Sequence, residues 1–158
     1  MDANPLDIRH LRSPDETCDL ARHLAPLLDP GDVILLEGDI GAGKSHFARC
    51  LIRSLLKHPE DIPSPTFTLV QTYDTPDGEI WHADLYRLAD VNEVEELGLL
   101  EAFETAICLV EWPDRLGPDA PEDALLLCFA LGENEQERTL TWQYDAPKWA
   151  KVAKAIRQ

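Results

Sequence analysis

Apolar residues recur along this chain in two rhythms, and the switches between them outline its elements. Ser13-Pro14-Asp15-Glu16 opens the first helix: Ser13 can cap, Pro14 suits the first helical position, and Glu16 stands where a capping box wants it. Leu20, Leu24, Leu27 and Leu28 then fall on one face at helical spacing. Asp29-Pro30-Gly31-Asp32 ends that run in a turn. Val33 to Glu37 is a short apolar run of the length of a buried strand, and a glycine-rich stretch follows. From Lys44 to Leu56 the period is helical again, with Phe47, Leu51 and Leu55 in phase.

The segment Ile62-Pro63-Ser64-Pro65-Thr66-Phe67 is irregular, because each proline removes a backbone donor. Thr68–Tyr73 and Glu79–Leu85 read as strands joined by the turn Asp74-Thr75-Pro76-Asp77-Gly78. Asp90 to Glu104 is helical, with a break at Gly98. Ile107–Trp112 is another strand, stopped by Pro113, and Leu116 to Asp123 is loop. Ala124–Leu131 and Thr139–Tyr144 form a second hairpin around Gly132-Glu133-Asn134-Glu135. Asp145-Ala146-Pro147 opens a last helix that ends near Arg157. The pattern predicts one α/β domain over residues 1–158 with some antiparallel pairing.

The glycine-rich stretch carries the chemistry. Gly38 to Ser45 match G-x-x-x-x-G-K-S, with a strand before and a helix after. Gly38, Gly41 and Gly43 let the backbone curl so that successive N–H groups point inward as an anion nest. The following helix adds the positive end of its dipole. Lys44 can reach β- and γ-phosphates, and Ser45 offers a hydroxyl to Mg²⁺. Such a loop needs an acid at the end of a neighbouring strand. Two strands end suitably, one in Glu111 and one in Asp84, and sequence leaves open which meets metal and which meets water. Ser64-Pro65-Thr66 occupies the place of a switch segment, where a hydroxyl could sense the γ-phosphate. His82 reads as a half-buried strand residue rather than a base.

Charge narrows the function classes. The 14 Lys+Arg against 30 Asp+Glu leave a net charge of −16. Nucleic-acid affinity comes largely from cationic side chains on phosphates, so this chain is a poor partner for RNA by itself. An N-K-x-D guanine motif is missing, which favours ATP over GTP. Only Arg115 lies between Arg87 and Arg138, so an arginine-bearing kinase lid is not expected. The same scarcity suggests slow hydrolysis without help. The cysteines Cys18, Cys50, Cys108 and Cys128 lack metal-site spacing. A start without a basic or apolar leader points to a reduced, cytoplasmic, soluble protein with no membrane association.

Four motifs occur in order: Gly38–Ser45, Ser64-Pro65-Thr66-Phe67, His82-Ala83-Asp84-Leu85-Tyr86-Arg87-Leu88 and Glu111-Trp112-Pro113. Together they strongly resemble the TsaE (YjeE) family, small bacterial ATPases needed for the threonylcarbamoyladenosine modification of tRNA. The likeness runs from about Ser13 to Tyr144. It implies a P-loop NTPase fold: a mixed, mostly parallel central sheet flanked by helices, with antiparallel hairpins. It implies ATP and Mg²⁺ as ligands. It implies TsaB and TsaD, the transferase subunits, as partners, with tRNA met only indirectly and the chain monomeric on its own. Carried over by motif, the loop residues Gly38, Asp39, Ile40, Gly41, Ala42, Gly43, Lys44 and Ser45 hold nucleotide, with Trp112 beside them. Ser45 and Glu111 serve Mg²⁺, while Asp84, Lys44 and Thr66 form the catalytic group. Thr17 and Arg138 match loosely as residues that approach the nucleotide. The family usually has Thr at the position of Ser45 and often another at that of His46. Ser45 keeps the hydroxyl, and His46 could change affinity. Two alternatives stand beside this reading: a small-molecule P-loop kinase, and a nucleotide-gated binding module whose hydrolysis is incidental.

Overall fold

A computed structural model describes residues 8–56, 62–63, 65, 68–90 and 92–157. Seven strands form one sheet: β1 (Arg9–Leu11), β2 (Val33–Glu37), β3 (Val70–Thr75), β4 (Gly78–Asp84), β5 (Ile107–Glu111), β6 (Leu125–Leu131) and β7 (Arg138–Gln143), in the order β1-β7-β6-β2-β5-β4-β3. The four middle strands, β6-β2-β5-β4, are parallel, and antiparallel strands close both edges. This is the mixed sheet expected of a P-loop NTPase fold. The buried parallel strands read as continuous apolar runs because both their faces are covered.

Alternation sends neighbouring β2 residues into two cores. Ile34 and Leu36 face α1 (Pro14–Leu24), α2 (Lys44–Leu55) and α5 (Ala150–Arg157); Val33 and Leu35 face α3 (Glu93–Glu96) and α4 (Leu99–Thr105). Ser13 caps α1 by accepting from the Glu16 N–H at 3.2 Å. The Glu16 carboxylate returns to the Arg12 N–H rather than to that of Ser13, so the box closes one residue early. The helical break expected at Gly98 is present, with φ +81.

Several expectations shift. β1 was too short to show a period; it is placed by pairing with β7. The β3–β4 turn tightens to Pro76-Asp77, because Thr75 and Gly78 already pair. The loop expected over Leu116–Asp123 overlaps a 3-10 segment at Pro113–Asp119. The expectation of a fully reduced chain fails at one pair: Cys18 on α1 and Cys50 on α2 are joined in a disulfide, with Cα atoms 5.3 Å apart. The two are 32 residues apart, and only helix packing brings them together. Cys108 is a buried free thiol, as expected of a small hydrophobe, and burial pushes its pKa up to about 12. No helix among the described residues is long and apolar enough to cross a membrane.

Candidate functional site

β2 delivers the chain to the glycine loop at the carboxyl edge of the parallel strands, where open α/β sheets place their ligands. Gly38 has to be glycine. Its φ is +147, and a Cβ there would stand 2.4 Å from the Phe129 carbonyl oxygen of β6. Asp39 and Ile40 are exposed, and Ala42 is buried, its N–H donating to the Asp39 carbonyl at 3.0 Å. Gly43, at φ +105, precedes α2 without a side-chain cap. The first turn of α2 carries no acidic residue of its own, so its N–H groups and the positive end of its dipole stay available beside the loop.

Lys44 opens that helix and is 4% exposed. Its Nζ donates to the Gly38 carbonyl and lies 3.8 Å from the centre of the Trp112 ring. Burial lowers its pKa, and the carboxylates of Glu111 and Asp84 oppose that shift. Trp112 itself sits at φ +59, a left-handed conformation costly for a bulky side chain. That backbone turn at the end of β5 swings the indole over the lysine, with Tyr86 packed against its ring at 4.9 Å.

Register then joins the acids. Asp84 closes β4 and Glu111 closes β5, paired across the two parallel strands. Both are buried, at 5% and 2% exposure. Glu111 Oε1 accepts from the Ser45 hydroxyl at 2.7 Å, while Oε2 lies 2.7 Å from His82 Nε2. Asp84 accepts from the Tyr86 N–H at 3.1 Å. A hydroxyl and two carboxylates gathered beside a phosphate-type loop are hard oxygen donors of the kind Mg²⁺ prefers.

These groups open on a cavity of about 490 Å³, within the range of small-molecule sites. Thr17 lines it from α1, with its hydroxyl turned back to the Ser13 carbonyl at 3.4 Å. Arg138, at the start of β7, also lines it and braces the loop, donating to the Gly41 carbonyl at 3.1 Å and to those of Glu135 and Glu137 at 2.7 Å. Thus the two loosest sequence matches both reach the cavity. Thr66, with Ser64 and Phe67, lies outside the described residues.

Sequence reasoning missed three things here. Arg49 and Arg87 line the cavity beside Arg138, so the site is not arginine-poor. Arg49 was legible, standing four residues after Ser45 on one helix face. Arg87 was judged by its spacing along the chain and not by its place beside Asp84. His82 is fully buried and touches Glu111, whereas a half-buried strand residue was expected. His46 was not assigned a contact; its Nε2 lies 2.9 Å from the Pro14 carbonyl, tying α2 to α1 at the cavity rim.

A glycine loop between a central parallel strand and a helix, with two acids at adjoining strand ends, defines a protein of P-loop NTPase fold. Residues 11–140 match the model of the family described as threonylcarbamoyl adenosine biosynthesis protein TsaE. The tRNA threonylcarbamoyladenosine biosynthesis protein TsaE of Rickettsia bellii is 44% identical over 104 residues, covering 66% of this chain and 72% of that protein. Its counterpart in Aquifex aeolicus is 40% identical over 128 residues, covering 80% and 90%. The crystal structure of Bacillus subtilis YdiB superposes with a TM-score of 0.75 at 26% identity, covering 94% of this chain and 92% of that one. The chain belongs to the TsaE family.

Proposed function

We propose that this chain is an ATPase of tRNA threonylcarbamoyladenosine biosynthesis, which binds ATP with Mg²⁺ in the Gly38–Ser45 loop and by hydrolysis drives or resets the TsaB–TsaD transferase. The observation that carries this reading is the Ser45–Glu111 contact at the mouth of the cavity, 2.7 Å between the loop hydroxyl and a buried carboxylate. In that reading the loop N–H groups and Lys44 hold the phosphates. Ser45 and Glu111 would hold Mg²⁺, which supplies positive charge against the β- and γ-oxygens. Asp84, across the strand pair from Glu111, orients the attacking water. Trp112 and Thr17 flank the nucleotide from the cavity wall.

The names of the relatives supply the pathway, and charge supplies the mode of service. A chain of net charge −16 approaches tRNA through its partners and not by its own surface. The arginines in the lining remove one argument against a small-molecule kinase, so acceptor phosphorylation belongs among the readouts. Arg138 is a poor lid residue, because its guanidinium is engaged by three carbonyls.

The test is a reconstituted tRNA modification assay with TsaB and TsaD and either the native chain or Asp84→Asn. The expected result is that Asp84→Asn binds ATP and partners yet fails to support modification. Full modification with Asp84→Asn would make turnover dispensable and favour the nucleotide-gated module.

A further inference from the structure

We infer that His82 is a positioning residue for the cation site: its imidazole holds one oxygen of Glu111 so that the other stays aimed at Ser45 and the ion. The inference rests on the Mg²⁺–ATP reading of the loop. His82 lies on β4 opposite Leu109 of β5 in the strand register, two residues short of the Asp84–Glu111 pair. Its ring therefore reaches along the sheet to the end of the neighbouring strand. Both side chains are out of water, at 0% and 2% exposure.

The two oxygens of Glu111 have different donors. Oε2 faces His82 Nε2 and Oε1 faces the Ser45 hydroxyl, each at 2.7 Å. An ionised carboxylate can only accept, so Nε2 carries the hydrogen of this contact. His82 Nδ1 is buried with no hydrogen-bond partner among the described residues, and among these Glu111 is the imidazole's one hydrogen-bond partner. A carboxylate with one oxygen held by a hydrogen bond is restrained about its terminal bond. It presents Oε1 to the loop without an ordering cost when the ion arrives, as outer-shell partners do for metal-ligating groups. A purely structural pair would act otherwise: its loss would lower stability and weaken nucleotide binding equally with and without the ion.

That difference sets the test. Calorimetry measures the ATP dissociation constant in excess Mg²⁺ and in EDTA, for the native chain, His82→Leu and His82→Gln. The native chain is expected to bind ATP more tightly with Mg²⁺. His82→Leu, which lacks a donor, should lose about tenfold or more of that Mg²⁺-dependent gain while its affinity in EDTA holds. His82→Gln, whose amide nitrogen stands near the place of Nε2, should recover most of it. If His82→Leu does not fold, His82→Asn takes its place, since its shorter amide falls short of Oε2. An unchanged Mg²⁺ gain in the donor-deficient variant overturns the inference, as does an equal loss with and without Mg²⁺. A native chain that binds no ATP, or binds it without regard to Mg²⁺, overturns the loop reading instead.

Discussion

Lys44 shows how this site trades stability for readiness. A cation at 4% exposure is held by one carbonyl and an indole face, and burial lowers its pKa. At neutral pH the folded chain therefore carries that charge at a cost, which a phosphate would offset. Lys44→Ala should weaken ATP binding by about a hundredfold or more. Without nucleotide it should melt at or above the native temperature, which differential scanning calorimetry reads. A clear fall in melting temperature would show the lysine to be a structural group. Gly38 behaves oppositely, because both its φ and the Phe129 carbonyl exclude a side chain. Gly38→Ala should cost about 2–3 kcal/mol, seen as a melting point lower by roughly 5–10 °C. The loop residues were legible in the sequence because their spacing is local. The Glu111–His82 contact was not, because it depends on how β4 and β5 are registered across 29 residues of chain.

Among the elements, strands and long helices were read nearly in place, since burial on one or both faces imprints a period on them. What escaped was short or made by partners: β1, with only three residues, and the pairing of α1 with α2 through Cys18 and Cys50. A titration of thiols in denaturant without reductant should find two, Cys108 and Cys128. Four would mean that Cys18 and Cys50 remain thiols. The stretch after Ala120 carried no distinctive motif, yet its last helix closes one core. Trp149, ahead of α5, is 1% exposed and donates its indole N–H to the Asp123 carbonyl at 2.7 Å. Trp149→Ala should cost about 3–5 kcal/mol, a melting point lower by about 10 °C, with ATP affinity little changed where the chain stays folded.

At the scale of the whole molecule, fold and charge point to different partners. The sheet gathers Lys44, Ser45, Asp84 and Glu111 at one edge around a cavity of about 490 Å³, where we propose that ATP binds. The acidic balance repels a polyanion as large as tRNA. Filter binding at low salt should find no tight, salt-sensitive association of the isolated chain with tRNA. The pathway itself was readable from four motifs taken together, because the phosphate loop alone does not distinguish this family from others.

The proposed function requires that ATP turnover answer to the transferase. Steady-state ATP hydrolysis by the purified chain, with and without the TsaB–TsaD pair and with Lys44→Ala as the blank, tests it most directly. A slow basal rate that rises by orders of magnitude with the pair is the predicted result, since charge stabilisation supplied by a partner has effects of that size in related phosphate-loop enzymes. A rate indifferent to the pair would contradict it.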